Sequence, residues 1–492
     1  MKYTSKNVGQ SIKNEFEAVR WNQTRRPVYQ SVQDINKENN QYSRVELMRL
    51  ARNFALNSPT ASDLLRTTVE SSADVDFYPA TSDSAFNAAA REYWLEWCEK
   101  PGLKTNDSLS IYKRWTARAR LVDGDVFILK IINDGKPKIT ILDAHNVKTP
   151  PEMRDKEGIT IFDGIEIDSK TERPKKIWYE IEKDVYDYIK EFEFVHEANK
   201  VNANQYRGFS HFASVLPVMI DWKEMNDGEV MAIKDSQMIT RIFKTKDGEL
   251  DTNIVTNSGD LFIKGSSANL IGKQQPVRKK ANVPHSIAIS TDEDVELVHS
   301  QRPSDQVQHF WDTKLSETCV GFGIPREIIY SERNTGATQR AIFEKFNLFI
   351  KSQAKISEEV WYEIYLFVLS WGIKHDENAP NALKNPPRDW RKVTTSYPKP
   401  LGIDATRQSG AILNEMYAGV RSIHSVIEEL GQGDFTTLIR KNAEAVITIK
   451  RIVKDFNEDK QNIKDGILIS ESDVLQKVLF NPDNINNSNV KN

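Results

Sequence analysis

The sequence predicts a helix-rich α+β protein of several domains, and three observations carry that reading. Apolar residues recur at helical spacing over 209–243, 304–319 and 337–371. Apolar runs flank an Asp134-Gly135 pair in 126–142, the signature of a β-hairpin, where the Asp-Gly pair supplies positive φ in the turn. The chain has 492 residues, too many for one compact domain, and its 39% hydrophobic content, with ten Trp and twenty-one Phe, suffices for real cores.

Taken in order, residues 1–45 are polar and rich in Asn and Gln, with a basic Arg25-Arg26-Pro27, and read as an extended arm. From Ser43 to Glu70 the pattern is helical. Leu47, Leu50, Phe54, Leu64, Leu65 and Val69 are its apolar positions, and the stretch Ser58 to Asp63 breaks and restarts it. Ala85 to Trp97 is a further short helix. The hairpin 126–142 follows, then strands at Gly158–Phe162, Gly164–Ile167 and Lys176–Ile181. A long helix is expected over 209–243, short strands over 245–300, and a second helix over 304–319 that ends in a cap at Gly321-Phe-Gly323 before Pro325. A polar loop, 331–337, leads into a helix of about 50 Å, with Trp361, Phe367 and Trp371 among its packing residues. The stretch 373–400 is rich in Pro and Asn. Helices at 404–418, 422–430 and 436–455 precede an Asn-rich tail expected to be disordered.

Composition and motifs exclude several classes. Lys+Arg minus Asp+Glu is 67 − 70 = −3, against the basic balance of a free-standing DNA-wrapping protein. Two cysteines, Cys98 and Cys319, make no disulfide framework, which fits a reducing compartment. The first residues carry no apolar secretory core, and the longest apolar stretch, 362–373, is too short to span a bilayer. Six residues lie between Gly265 and Gly272-Lys273 where a phosphate loop has four, and Gln274 replaces the Mg²⁺-binding hydroxyl. His196-Glu197 lacks a second His one turn on, and no Cys pair has zinc spacing. Asp163, Glu166, Asp168 and Lys183 have the residue types of a metal-dependent nuclease, but their alternation reads as the solvent face of strands. No catalytic residue, metal or cofactor is expected.

Two long helices flanking a β insert lie naturally antiparallel, as a stalk with a cap. Such a stalk buries little surface alone and is stable mainly beside copies of itself.

The order and spacing of a set of segments resemble the lambda-type portal proteins of tailed bacteriophages. They are Trp94-Leu-Glu-Trp97, Ala117 through Phe127 with its Arg120-Leu-Val-Asp-Gly124, Ile139 through Val147, Gly158 through Asp168, Gln205-Tyr-Arg207-Gly208, Gln301 through Pro325, Asn334 through Arg340, and Ala411 through Ser422. The chain departs from the pattern around 71–80, where the usual Gly-rich turn is missing, and after about 455. The resemblance implies a ring, usually of twelve subunits, at one capsid vertex, assembled in the host cytoplasm, that conducts double-stranded DNA during packaging and ejection. It implies as partners the chain itself, a terminase large subunit, the major capsid protein and scaffold, and a head-tail adaptor protein. It maps an arm onto 1–45, an α+β wing onto 46–208, stem helices onto 209–244 and 303–325, a clip onto 245–302, the tunnel loop and tunnel helix onto 326–372, C-terminal wing and crown helices onto 373–455 and a tail onto 456–492.

Charge agrees with such a conduit. In 217–240 five acidic residues face two lysines, a net of −3, and in 303–320 three face one, a net of −2. An acidic lining including Asp221, Glu224, Asp227, Asp305 and Asp312 would grip phosphates little. The clip carries Lys264, Lys273, Arg278, Lys279 and Lys280 with no acid between them, a surface for a docking partner. Arg333, Asn334, Thr335 and a Gly336 hinge are the expected DNA-contacting residues of the tunnel loop. Two rival readings are a metal-dependent DNA-processing enzyme using Asp163, Glu166, Asp168 and Lys183, and a monomeric scaffold that binds a protein partner.

Overall fold

The computed structural model describes residues 34–154, 158–245, 262–263, 285–290, 305–330, 336–402, 405–423, 426–427 and 435–458. Residues 1–33 of the expected arm lie outside the described residues; from 34 on, where the arm was expected to continue to 45, the chain is helical: α1 (Ile35–Glu38) and α2 (Gln41–Asn57) start from Asp34 and Asn40, whose side chains accept from Asn36 N and Ser43 N. Ser58 then ends α2 and caps α3 (Pro59–Ser72), and Pro59 sits at the first turn, where a missing N–H costs nothing. Strand β1 (Asp76–Pro79), α4 (Ser84–Glu99) and α5 (Leu109–Asp123) follow. The sequence pattern did not assign α5. Its buried face includes Lys113, Thr116 and Arg120, and those polar residues break the apolar period.

The next seven strands form two antiparallel sheets. The hairpin β2 (Asp125–Asn133) and β3 (Lys136–Asp143) is joined on the β2 side by β8 (Phe194–Ala198). Between them β4 (Thr160–Phe162), β5 (Ile165–Ile167), β6 (Pro174–Glu182) and β7 (Val185–Lys190) make a four-stranded meander. Phe127, Val147, Ile165, Ile177 and Phe194 pack the two sheets together.

The long helix expected over 209–243 is shorter. Ser210 caps a 3₁₀ turn over His211–Ser214, and α6 runs Leu216–Met238. Beyond it the β-branched run Ile239–Thr245 becomes β9, which pairs in parallel with β11 (His285–Ser290), itself paired with β10 (Phe262–Ile263). Helix α7 (Asp305–Phe322) returns to the base of α6. It ends as the Gly321-Phe-Gly323 pattern requires: Gly323 takes φ +100°, and the N–H groups of Gly323 and Ile324 both donate to Cys319 O at 3.0 Å. A short helix α8 (Arg326–Ile329) precedes α9 (Gly336–Lys374), whose 39 residues span about 58 Å. Next come α10 (Asn381–Lys384), β12 (Val393–Ser396), α11 (Ala405–Tyr417) and α12 (Phe435–Glu458). Strand β12 pairs antiparallel with β1, tying the chain on either side of α9 together.

Two helical cores hold the molecule. One joins α2, α3 and α5 to the foot of α6, the end of α7 and Phe346 and Ile350 of α9. The other surrounds the C-terminal half of α9, where Trp361, Ile364, Tyr365, Val368 and Leu369 pack against Phe77, Phe86 and Trp94. Helix α9 is therefore the common spine of both. Trp361 is fully buried, as its place in the apolar stripe implied, while Phe367 lies at the edge of the second core and the half-buried Trp371 instead donates its Nε1 to Gly135 O at 2.9 Å.

Candidate functional site

The Gln205-Tyr-Arg207-Gly208 turn organises the centre of the chain, immediately before the foot of α6. Arg207 is buried, and its Nε and Nη2 donate to the two oxygens of Asp125 at 2.6 and 3.0 Å. Its Nη1 donates to Asp163 O at 2.6 Å and to Val147 O at 3.2 Å, and Nη2 also reaches Ala144 O at 3.0 Å. One guanidinium thus ties β2, the β3 exit and the β4–β5 turn to the chain entering α6. Asp125 is fully buried. Burial alone would raise its carboxyl, but Arg207 and His196 outweigh it and hold the group well below the usual carboxylate range. His196 lies 3.2 Å from Asp125 and stacks on Phe127, and burial lowers its own pKa. Gln205 donates to Arg207 O at 2.6 Å and accepts from Val201 N at 2.9 Å.

Glycine is required at Gly208: a Cβ there would stand 1.9 Å from Gly124 O. Gly124 itself caps α5 at φ +95°. The turn motif is thus a structural clamp.

A second buried network holds the spine. Arg120 of α5 donates to Glu197 of β8 at 3.0 Å and to Gln353 of α9 at 2.7 Å, while Ser357 donates to the same Glu197 oxygen at 3.2 Å. All four residues are buried, so this network fixes the register of α9 against the sheet.

The stalk is built from α6 and α7. Val215, just before α6, and Leu216 and Met219 at its start share a core with Cys319 and Phe322 at the end of α7, so the two helices run antiparallel. Gly321 lets them close, since a Cβ there would meet Val215 Cγ1 at 2.6 Å. His211 Nε2 pairs with Phe322 O at 2.7 Å, and Ser214 Oγ donates to Gly321 O at 3.2 Å. Beyond this foot the shafts emerge. Met231 is 68% exposed, Val230 40% and Met225 39%, and Phe310 on α7 is 37% exposed. Asp221, Glu224 and Asp227 lie exposed on the same α6 shaft.

The other expected site residues divide. Asp305 opens α7. Asp312 is not a free lining carboxylate: its Oδ1 accepts from Arg326 Nη2 at 3.1 Å, which pins α7 to α8. Gly336 is not a hinge within the loop but the first residue of α9, and the space around it would admit a side chain. Arg333, Asn334 and Thr335 lie outside the described residues, as do Lys264, Lys273, Arg278, Lys279 and Lys280.

The carboxylates of the nuclease alternative do not share a site, and two of them contradict the solvent-face reading. Asp163, at φ +42° in the β4–β5 turn, points inward, paired with Arg44 and 3.6 Å from Arg207. Glu166 is buried beneath Lys176 at 2.9 Å and accepts from Trp178 Nε1 at 2.9 Å. Alternation along β5 put Glu166 opposite Ile165 and Ile167, as expected, but that second face is covered too. Asp168 is exposed and caps its own turn, accepting from Lys170 N and Thr171 N. Lys183 is exposed in the β6–β7 turn. Among the described residues no group of three or more His, Cys, Asp or Glu is placed to hold a metal ion, and no helix is long and apolar enough to cross a membrane.

A family profile described as "Phage portal protein, lambda family" matches residues 22–348, about two thirds of the chain. No curated protein matches. Solved structures to which the chain is similar include a chain from the neck of an empty gene transfer agent (GTA) particle, computed with C6 symmetry. It is 13% identical, has a TM-score of 0.42, and the alignment covers 79% of this chain and 93% of that one. Another is a chain of the native GTA virion, also 13% identical, with a TM-score of 0.41 and the same coverage. Every segment carrying the sequence resemblance except Ala411 through Ser422 falls within the matched span, and the chain belongs to the lambda family of phage portal proteins.

Proposed function

We propose that copies of this chain close into a ring, of about twelve subunits by family expectation, at one capsid vertex. Through its centre double-stranded DNA would be packaged and later ejected. The observation that carries this reading is the α6–α7 pair: its foot is built into a core, and its shaft leaves that core with Met225, Val230 and Met231 exposed beside Asp221, Glu224 and Asp227. A shaft with apolar flanks and an acidic stripe suits a rod packed between identical rods, with its carboxylates turned towards a bore. Each phosphate bound by a cation adds affinity, so an acidic bore lets duplex slide.

On this reading Arg333, Asn334 and Thr335, just before α9, contact DNA at the narrowest level. Lys264, Lys273, Arg278, Lys279 and Lys280 at the clip dock an acidic surface of the terminase large subunit during packaging and of a head-tail adaptor afterwards. The wing meets the major capsid protein and scaffold in the host cytoplasm. The chain itself has no catalytic role, and ATP hydrolysis belongs to the motor subunit. Purified protein imaged by negative stain should show rings with a central hole. Packaging in a reconstituted system should fall when the five clip cations are changed to Glu, with ring formation unaffected.

A further inference from the structure

The β2–β3 hairpin carries a cluster of lysines at its tip. Along β3, Pro137 and Ile139 are buried, so Lys136 and Lys138 share the outer face, about 7 Å apart at the backbone. The chain after α4 runs beside them: Ile139 N donates to Pro101 O and Leu103 N to Ile139 O, both at 2.9 Å. That pairing sets Lys100 against Lys138, whose Nζ donates to Lys100 O. Burial lowers the Lys138 pKa, and the charges of Lys136 and Lys100 lower it further. Among the described residues none of the three ammonium groups has an ion pair. Of the acids nearest in sequence, Asp134 accepts from Asn133 Nδ2 at 3.0 Å and Glu99 is exposed. The cluster is also held in place. Trp371 Nε1 donates to Gly135 O at 2.9 Å and Trp97 Nε1 to Pro137 O at 2.7 Å, so indoles hold the carbonyls on either side of Lys136.

We propose that Lys100, Lys136 and Lys138 bind the backbone of double-stranded DNA, at a contact separate from the bore. Like charges held this close repel, and an anion of high charge density relieves them. Duplex DNA carries one negative charge per about 1.7 Å of its length, so it presents phosphates to three clustered ammonium groups whatever its sequence. All three cations are lysines, which meet phosphates as point charges, and no arginine among them supplies the fork that pairs with a carboxylate. That favours DNA over an acidic protein. Trp97 is stacked on Trp94 and Trp371 lies against His375, while the exposed apolar side chains beside the lysines, Leu103 and Ile132, are aliphatic. No ring is offered for a base to stack on, which favours duplex over single strands. Trp371 lies near the C-terminal end of α9, about 50 Å from Gly336 and the loop before it. The placement away from the bore rests on the ring reading; the binding itself does not.

Fluorescence anisotropy of the full-length protein with a mixed-sequence duplex of about 30 base pairs, over a salt series, tests it. The triple variant Lys100→Gln, Lys136→Gln, Lys138→Gln should bind roughly tenfold or more weakly at low salt, with a log–log salt slope shallower by about 2–3. Unchanged affinity and slope overturn the proposal. A variant that loses single-stranded DNA or a polyglutamate peptide more steeply than it loses duplex assigns the cluster to that polyanion and overturns it too. Amine acetylation mapped by mass spectrometry gives a second readout on the unaltered protein. Duplex should shield Lys100, Lys136 and Lys138, while Lys183, exposed in the β6–β7 turn, reacts as before. Equal labelling of the three with and without duplex overturns the proposal, whatever the variant does. Both readouts work on any assembly that forms, so a protein that binds duplex through these lysines but makes no rings supports this inference and contradicts the ring reading alone.

Discussion

Arg207 shows how one residue decides the centre of this fold. It compensates a fully buried carboxylate and ties together loops from three strands. Removing it leaves Asp125 buried without its guanidinium partner, so Arg207→Ala should cost about 3–5 kcal/mol, read as a drop in urea midpoint at unchanged slope. Gly208→Ala should be at least as damaging, because its Cβ would overlap a backbone oxygen that cannot move away without breaking the α5 cap. The same centre sets a pH dependence. The Asp125 pKa is lowered on folding, so its contribution is present above the unfolded value near 4 and is lost as pH falls through the lower folded value. The His196 pKa is also lowered, so the unfolded state binds the extra proton below pH ~6.5. Both terms destabilise the protein on acidification. Thermal midpoints should fall steadily from pH 7 to pH 4, and His196→Gln should flatten the upper part of that curve.

Sequence legibility also divides at this scale. Gln205-Tyr-Arg207-Gly208 was visible as a motif, but its partner Asp125 lies some eighty residues away, and only the folded chain reveals that the motif is a clamp. Asp163 and Glu166 looked solvent-facing because alternation reports which face a residue takes and is silent about what covers that face.

The elements most legible in sequence were those whose own surface carries the signal. The α2–α3 break at Ser58-Pro59, the hairpin around Asp134-Gly135 and the α7 cap at Gly321-Phe-Gly323 each depend on local backbone chemistry, and each folds as expected. Helix α5 was missed because its buried face holds Arg120 and Lys113, whose partners belong to other elements. The pairing of β1 with β12 bridges more than three hundred residues, and no local pattern announces it. The Arg120–Glu197–Gln353 network makes a prediction for α9. Gln353→Leu should leave Arg120 short of a partner and destabilise the protein by about 1–3 kcal/mol, while Gln353→Glu should be tolerated better because it still accepts from Arg120. Chemical denaturation of the two variants side by side checks the order.

At the scale of the whole molecule, the stalk is the feature that does not make sense in one copy. Its foot is a core and its shaft is exposed apolar surface. Replacing Met225 and Met231 by Asp should leave the wing folded, with near-unchanged circular dichroism, yet prevent assembly. Adding cations to the shaft, as Asp221→Lys with Asp227→Lys, should spare assembly and slow DNA passage, with a stronger effect at low salt. Both expectations follow from one claim, that identical shafts pack around a hole. The most direct measurement is the mass and image of the purified full-length protein at high concentration. The account predicts closed rings of many 56.4 kDa subunits with α6 and α7 surrounding the central opening. A single 56.4 kDa species, or an assembly whose α6 and α7 lie away from its rotational axis, would contradict it.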